Sequence, residues 1–329
     1  MHRPLKLNLA LQGGGAHGAF TWGMLDHLLQ QRPLQLDGIS GTSAGAMNAV
    51  LLAAGWQQGG AEGARELLSR FWHGLMVPGP LDPGGMSHHW SLWWRDMTKH
   101  LSPYDLNPFD INPLRNLLDE LIDFAALRRN PPCKLFIAAT HVESGRLRLF
   151  REHELTPDHL LASACLPEFY QAVEIEGEHY WDGGFVGNPV VYPLVFECDA
   201  RDLMLLLLHP RAGRGVPTQA QGIADRVAEL GFQTTFLREM RALAALKQRM
   251  KHRLWLQSRV ARKVRQLRLY RLEPDEGLNN LHRGSTLDTR RDFLLALQQR
   301  GAQRMQQWLA REGACLGRRG NCDLETEFL

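Results

Sequence analysis

The stretch LALQGGGAHGAF, Leu9 to Phe20, decides the fold class of this 329-residue chain. An apolar run enters a loop containing Gly13, Gly14, Gly15 and Gly18, and an apolar, alanine-containing stretch follows. This order predicts a buried strand, a tight glycine turn and the start of a helix. Backbone N–H groups at a helix start favour negative charge. The loop is therefore predicted to hold either a phosphate or an oxygen that becomes negative during a reaction.

The stretch LQLDGISGTSAG, Leu34 to Gly45, has the same strand–turn–helix pattern. Two such units in succession favour an α/β fold with a mainly parallel sheet covered by helices. Apolar periodicity predicts the remaining elements. These are strands at Leu5–Leu11, Lys134–Val142, Arg146–Phe150 and Asp202–Pro210, a hairpin around Gly177, a strand in LRLYRLEP, and helices at Ala16–Gln31, Ala44–Ala54, Glu62–His73, Pro113–Leu127, Pro217–Arg265 and Asp288–Arg311.

The chain is predicted to form one domain over 5–210, with a mostly helical C-terminal extension, 211–329, packed on it. Residues 74–112 interrupt the alternation of predicted strands and helices with a segment rich in Pro, Gly, His and Trp. A long insertion of this kind is often a lid over a binding site. It is equally compatible with a loop that packs on its own Trp90, Trp93 and Trp94.

The composition indicates a globular protein, with 44 % hydrophobic and 22 % charged residues. The net charge of +3 is too small to indicate nucleic acid as a partner. Five scattered cysteines suit a reducing compartment, and a metal at Cys315 and Cys322 would lack two ligands. Neither a secretory signal nor a membrane-spanning run is visible, so a cytoplasmic location is expected.

The sequence GTSAG, Gly41 to Gly45, follows a predicted strand and opens a predicted helix. Such a turn strains its serine and exposes the hydroxyl, and the flanking glycines let neighbouring chains approach. Ser43, between Thr42 and Ala44, is therefore a candidate nucleophile. The alternative interpretation is a tight turn with a capping serine.

A serine nucleophile needs a base, and Asp182, followed by Gly183 and Gly184, is a candidate. The glycines allow the chain to turn directly after the carboxylate. An isolated Asp-Gly-Gly is more often an ordinary hairpin turn. If the reaction is acyl transfer, the first glycine loop supplies N–H donors for the oxyanion, with Gly14 and Gly15 as the best candidates.

Together, GGGAHG (13–18), GTSAG (41–45), ASACLPEFY (162–170) and DGG (182–184) resemble the patatin-like phospholipase family over about residues 5–210. The resemblance implies a three-layer α/β/α fold and a Ser–Asp dyad without histidine. It implies Ser43 as nucleophile, Asp182 as base, and an oxyanion hole in the loop that carries Gly13, Gly14, Gly15 and Gly18. Lipid esters are the implied substrates, with no cofactor or metal, and some similar chains act on intracellular storage polyesters.

Two positions depart from the family's usual residues. His17 stands where Arg or Lys is frequent, which weakens the expectation of a fixed positive charge because histidine is mostly neutral at pH 7. Gln12 stands where Gly or Asp is frequent. Neither change removes a backbone donor.

Three other functions remain open from the residues alone. GGGAHG also fits a dinucleotide-binding loop, with Asp37 near the expected acidic position. His209, after a buried strand, permits a Ser-Asp-His triad. The chain is alternatively a catalytically silent scaffold, although intact Ser43 and Asp182 speak against that.

A basic helical segment, 236–271, contains Glu239 as its one acidic residue. Basic amphipathic helices bind anionic membranes, so peripheral contact with a lipid surface is one interpretation. The other is a packed helix with a solvated basic face.

Overall fold

The computed structural model describes residues 4–31, 33–77, 102–107, 112–209, 215–251, 258–274, 278, 281 and 283–329. Most of the predicted Trp-rich insertion, including Trp90, Trp93 and Trp94, lies outside these residues. Both interpretations of the insertion therefore stay predictions. The predicted domain boundary near 210 also falls outside the described part of the chain, at 210–214.

A central sheet is formed by eight strands of the described chain. They are β1 Leu5–Leu11, β2 Leu34–Thr42, β3 Lys134–His141, β4 Leu147–Arg151, β5 Val173–Ile175, β6 Glu178–Asp182, β7 Asp202–Leu206 and β8 Arg268–Leu272. The order is β5-β6-β3-β2-β1-β7-β8, with β4 also paired to β3. Strands β3, β2, β1, β7 and β8 run parallel to one another, β4 and β6 are antiparallel to β3, and β5 is antiparallel to β6. The predicted α/β class with a mainly parallel sheet is confirmed.

The helices of the described chain flank this sheet. They are α1 Gly18–Gln31, α2 Ala44–Leu75, α3 Pro103–Leu106, α4 Pro113–Leu121, α5 Phe124–Arg129, α6 Pro157–Ser163, α7 Tyr192–Phe196, α8 Ala220–Lys251, α9 Arg259–Gln266, α10 Arg291–Glu312 and α11 Leu324–Phe328. Short 3₁₀ turns lie at Gly15–His17, Gly183–Phe185, Arg283–Leu287 and Gly313–Cys315.

Alternate residues of the central strands contribute to two different apolar cores. In β7, Met204 and Leu206 belong to the core shared with α1, α2 and α10, whereas Leu203 and Leu205 belong to the core shared with α7, α8 and α11. Successive side chains of a strand point to opposite faces. The sheet is therefore the middle layer of three, with both faces covered, as expected for parallel strands rich in leucine.

Several predicted helix ends agree with the structure, including Gln31, Ala44 and Pro113, whereas the predicted helices Pro113–Leu127 and Pro217–Arg265 are each divided in two. Gly59 and Gly60 interrupt α2 with non-helical backbone, between the two helices predicted there. The predicted helix Pro113–Leu127 is two helices, because the Asp123 carboxylate caps the second by accepting the N–H of Ala126 at 2.8 Å.

The prediction of a continuous basic helix over 236–271 is wrong. The segment comprises the end of α8, the separate helix α9 and strand β8. Its apolar residues Phe236, Met240 and Val264 are buried in the second core, so much of this segment packs on the sheet. Within the described residues, no helix combines the length and apolarity needed to cross a membrane.

Candidate active site

Ser43 occupies a strained turn between β2 and α2. Its backbone φ of 55° is in the left-handed region, which is rare for a residue with a side chain. The Ser43 N–H is donated to Oγ of Ser163 at 3.0 Å, and that hydroxyl is donated to the carbonyl of Ala138 at 2.6 Å. Thr42 Oγ1 is donated to the carbonyl of Gly187 at 2.7 Å. The turn is therefore tied to β3, to α6 and to the segment after Asp182.

The glycines around Ser43 are required by close backbone contacts. A Cβ on Gly41 would lie 2.4 Å from the carbonyl oxygen of Gly45. A Cβ on Gly45 would lie 2.2 Å from the carbonyl oxygen of Leu11, at the end of β1. Helix α2, which begins at Ala44, therefore starts directly against the strand that leads into the first glycine loop.

The register of β3 places the two predicted catalytic residues together. Ala138 pairs with Thr42 of β2 and with Leu149 of β4, whereas Ala139 pairs with Asp182 of β6 and with Arg148 of β4. Because β4 occupies one edge of β3 at both positions, β2 and β6 share the other edge. Strand β6 therefore continues along β3 where β2 ends, and Asp182 meets the residue that follows Thr42.

Asp182 is buried, with 2 % of its surface exposed, and its side chain interacts with that of Ser43. Burial raises the pKa of Asp182 to about 6. The hydrogen bond from the Gly184 N–H, at 2.7 Å, and the interaction with Ser43 lower the pKa by less than burial raises it. Both backbone groups of Asp182 are also held, since its N–H is donated to the carbonyl of Cys165 and its carbonyl accepts Thr140 Oγ1, each at 2.7 Å. The carboxyl is thus fixed beside the serine hydroxyl.

The Asp182-Gly183-Gly184 turn also depends on its glycines. A Cβ on Gly183 would lie 2.2 Å from the carbonyl oxygen of Ala138, and one on Gly184 would lie 2.3 Å from the ring of Phe232 in α8. The turn is therefore enclosed between β3 and α8. The ordinary hairpin interpretation of this motif does not explain why the carboxyl is buried against Ser43.

The first glycine loop lies against the Ser43 turn. A Cβ on Gly13 would lie 2.5 Å from the carbonyl oxygen of Thr42. The Gly13 N–H is donated to Oδ1 of Asn188 at 2.7 Å, and the Gly18 N–H is donated within the 3₁₀ turn to the carbonyl of Gly15. These two glycines therefore provide close packing rather than free donors.

Gly14 and Gly15 stand at the start of the 3₁₀ turn, where N–H groups lack partners within the turn. In the part of the chain that the structure describes, their N–H groups have no hydrogen-bond acceptor. The left-handed φ of Gly15, 57°, requires glycine. Of the four predicted oxyanion-hole glycines, these two retain donors for an incoming oxygen.

Gln12 and His17, which depart from the usual family residues, are both buried and both hold the loop. The Gln12 side chain accepts the N–H groups of Leu208 and His209, at 2.6 and 3.0 Å, and donates to the carbonyl of Asn188 at 3.2 Å. Burial lowers the pKa of His17 to about 4, so its ring is neutral near pH 7. Neither residue places a charge beside the site.

Asp37, the acidic residue of the dinucleotide alternative, is engaged away from the glycine loop. The Asp37 carboxylate pairs with Lys6 at 2.9 Å and accepts the N–H of Ala200 at 2.6 Å, on the strand rather than at the glycine loop. His209 lies close enough to His17 to lower its pKa. The carboxyl of Asp182 interacts with Ser43 itself.

One group of side chains in the described chain has metal-ligand spacing: His141, Glu143 and Glu178, with ligand atoms within 4.8 Å of one another. His141 Nε2 contacts Glu178, and Nδ1 of His141 accepts the N–H of Ser144 at 3.2 Å. His141 is partly buried in this group, and both glutamates are exposed. None of the five cysteines, Cys315 and Cys322 included, forms a disulfide.

Sequence reasoning missed three residues that hold the site. Ser163 lies within the quoted ASACLPEFY block, but no role was predicted for it. Asn188, which binds Gly13, and Ser285, which contacts His17, carry no sequence signal because they act across long separations in the chain.

A serine beside a buried carboxyl and backbone N–H groups without acceptors is an arrangement by which serine hydrolases activate their nucleophile. The model of the patatin-like phospholipase family matches residues 9–195, and the chain belongs to that family. Family membership indicates a lipid acyl hydrolase that acts on lipid esters.

Among solved structures, VipD from Legionella pneumophila is similar at 15 % sequence identity with a TM-score of 0.40, over 94 % of this chain and 67 % of that chain. The curated proteins contain no match to this chain.

Proposed function

We propose that the protein cleaves carboxylic esters of lipids with Ser43 as nucleophile and Asp182 as base, in the manner of a phospholipase A or lysophospholipase. The observation that carries this proposal is the strand register that brings Asp182 beside Ser43, with the carboxyl buried and its pKa raised to about 6. An exposed aspartate, with a pKa near 4, is a poor base. A pKa close to neutral brings the carboxylate nearer to the value that general-base catalysis favours.

The reaction then proceeds in two balanced stages. Ser43 Oγ attacks the ester carbonyl carbon as its proton passes to Asp182, and the carbonyl oxygen becomes negative. The C–O bond to the alcohol breaks, and the alcohol leaves with the proton from Asp182. Water attacks the acyl-serine carbonyl carbon while Asp182 takes one of its protons. The bond from that carbon to Ser43 Oγ breaks, Asp182 returns the proton to Oγ, and the fatty acid is released.

The N–H groups of Gly14 and Gly15 are the proposed donors to the oxyanion in both stages. Donors that are fixed before the reaction stabilise the developing charge without reorganisation. The proposed site uses no cofactor and no metal ion. Storage polyesters present the same ester group, so they remain a second substrate class for the same dyad.

Hydrolysis of p-nitrophenyl esters of graded chain length tests the dyad, with wild type compared with Ser43→Ala and Asp182→Asn. We expect both substitutions to lower kcat at least about a thousandfold. Ser69→Ala, at a helix position outside the site, is the matched serine control and should retain full activity. Activity that survives Ser43→Ala would exclude Ser43 as nucleophile.

The substrate class is tested with phospholipids, lysophospholipids and polyhydroxyalkanoate granules. Preferential release of fatty acid from phospholipid supports the proposal, whereas preference for the granules supports the polyester alternative. A wild type that is inactive on every ester would favour a silent scaffold. Stabilisation by NAD in a thermal-shift assay would favour the dinucleotide alternative.

A lipid-surface contact is the second part of the proposal, and we place it on the first turns of α8. Ile223, Val227 and Leu230 are 47 %, 64 % and 44 % exposed. Their spacing puts them on one face of the helix. Further along α8, Arg238 and Arg241 are exposed. An apolar stripe followed by cationic residues suits an anionic lipid surface.

Flotation with phosphatidylcholine vesicles containing phosphatidylglycerol tests this contact. Val227→Glu should lower vesicle binding while leaving hydrolysis of a short soluble ester unchanged. Val260→Glu, at an exposed valine of α9, is the control for the segment 236–271. Loss of binding in Val260→Glu alone would move the contact to that segment.

A further inference from the structure

A turn near the C-terminus, Arg283–Leu287, lies directly against the first glycine loop. Oγ of Ser285 is 2.8 Å from Nε2 of His17. A Cβ on Gly15 would lie 2.2 Å from the carbonyl oxygen of Thr286, so the two backbones are in contact there. The loop that carries Gly14 and Gly15 is thus bounded on one side by residues from the far end of the chain.

The helix after this turn makes a second contact with the same unit. Helix α10 packs on α1, which begins at Gly18 at the end of the loop. The packing is backbone to backbone, since a Cβ on Gly23 would lie 1.9 Å from the carbonyl oxygen of Gln298, and one on Gly301 would lie 1.9 Å from that of Phe20. The C-terminal part therefore holds both the loop and the helix that follows it.

His17 connects the two parts of the chain. Its side chain is buried, with 5 % exposed, and its ring lies 6.2 Å from that of Phe293 in α10. The turn and α10 lie beyond residues 9–195, which match the family model. The histidine that departs from the usual family residue is therefore accommodated by a segment outside the matched region.

We propose that Ser285 is a positioning residue for the oxyanion loop and acts through its hydrogen bond to His17. The carbonyl of Thr286, which contacts Gly15, limits movement of the loop on that side. This inference rests on the proposed ester hydrolysis and adds the element that sets its oxyanion donors. Ser285 does not touch the reacting atoms. It fixes the loop on which the N–H groups of Gly14 and Gly15 are carried.

Loss of the hydrogen bond should affect the chemical step more than substrate binding. Oxyanion donors act on charge that develops in the transition state, so their misplacement lowers kcat while KM changes little. Displacements of about 1 Å suffice for rate losses of up to about a hundredfold. The surrounding core, which includes α1 and α10, does not depend on this one bond.

The first experiment compares Ser285→Ala with Ser285→Thr, which keeps the hydroxyl, and with Asp288→Asn as control. Asp288 lies three residues after Ser285 and pairs with Arg290 at 2.6 Å. On a soluble p-nitrophenyl ester, Ser285→Ala should lower kcat about tenfold with KM and Tm nearly unchanged. Ser285→Thr should recover most of kcat, and Asp288→Asn should match wild type. Equal kcat in Ser285→Ala and Asp288→Asn would overturn the proposal.

A double-mutant cycle separates positioning through His17 from a general loss of packing. His17→Phe keeps a ring against Phe293 and removes the hydrogen bond. If the bond is the link, the kcat of His17→Phe combined with Ser285→Ala should equal that of His17→Phe alone. If the two substitutions instead lower kcat by factors that multiply in the double variant, the two residues act independently and the proposal is wrong.

Labelling of Ser43 by a fluorophosphonate makes the test independent of the natural substrate, because the tetrahedral phosphonyl centre also uses oxyanion donors. Labelling of wild type that is abolished in Ser43→Ala but unaffected by Ser285→Ala would reject this inference and leave the dyad intact. No labelling and no hydrolysis by wild type would reject the proposed function itself.

Discussion

Two strand–turn–helix units lie side by side in the sheet, and they are held in different ways. The Ser43 turn is fixed by the register of β2 and β6 on β3 and by hydrogen bonds to Ser163 of α6 and to Gly187. The first glycine loop is fixed by Asn188, which lies 175 positions from its partner Gly13, and by Ser285, which lies 268 positions from its partner His17. Strand register therefore sets the nucleophile, whereas later segments of the chain set the oxyanion donors.

The contact between the two units should be the most sensitive to substitution. Gly45→Ala would place a methyl group 2.2 Å from the Leu11 carbonyl oxygen and 2.9 Å from that of Gln12, so the backbones must separate. We expect the free energy of unfolding to fall by about 3 kcal/mol or more, or folding to fail. Urea unfolding followed by circular dichroism measures it.

Gly59→Ala is the matched control, because a Cβ there has no heavy atom within 4 Å. Its free energy of unfolding should stay within about 0.5 kcal/mol of wild type. If the free energy of unfolding of Gly45→Ala is as close to wild type as that of this control, α2 does not approach the end of β1 as closely as described.

The sequence predicted the local units better than their assembly. Glycine turns after apolar runs identified β1, β2 and the Ser43 turn, because strand, tight turn and helix start each have a local residue signature. The meeting of Ser43 and Asp182 depends on how β2 and β6 share an edge of β3, which no local pattern specifies. Ser285 was missed for the same reason, since its partner His17 lies 268 positions away.

Gln12 should show how strongly the loop depends on its remote contacts. Gln12→Leu removes the acceptor of the buried Leu208 N–H and the donor to the Asn188 carbonyl. Leaving such a group unsatisfied costs about 1–3 kcal/mol, so we expect a destabilisation of about 2 kcal/mol together with a lower kcat. Gln35→Leu, at an exposed glutamine of β2, is the control. A wild-type kcat in Gln12→Leu would show that the loop is positioned without these bonds.

The pH dependence of hydrolysis tests the Ser43 turn and its proposed base, Asp182. Burial raises the pKa of Asp182 to about 6, and only the ionised carboxylate accepts the serine proton. The value of kcat/KM should therefore be constant above about pH 7 and fall about tenfold per unit below pH 6. The measurement is a pH–rate profile with a soluble ester, with circular dichroism at each pH to confirm that the protein stays folded. A profile with its acid limb near pH 4 would contradict a buried base.

The smallest expected effect concerns Glu168, an exposed residue of the ASACLPEFY block. Its negative charge contributes to the raised pKa of Asp182, after the larger effect of burial. Glu168→Gln should move the acid limb of the pH–rate profile to lower pH by a few tenths of a unit, because ionised Asp182 then meets less repulsion. The shift should shrink in high salt, since exposed charges are screened. Glu174→Gln, at an exposed glutamate of β5, should leave the profile unchanged. An equal shift in both variants would mean that net charge, rather than the position of Glu168, governs the base.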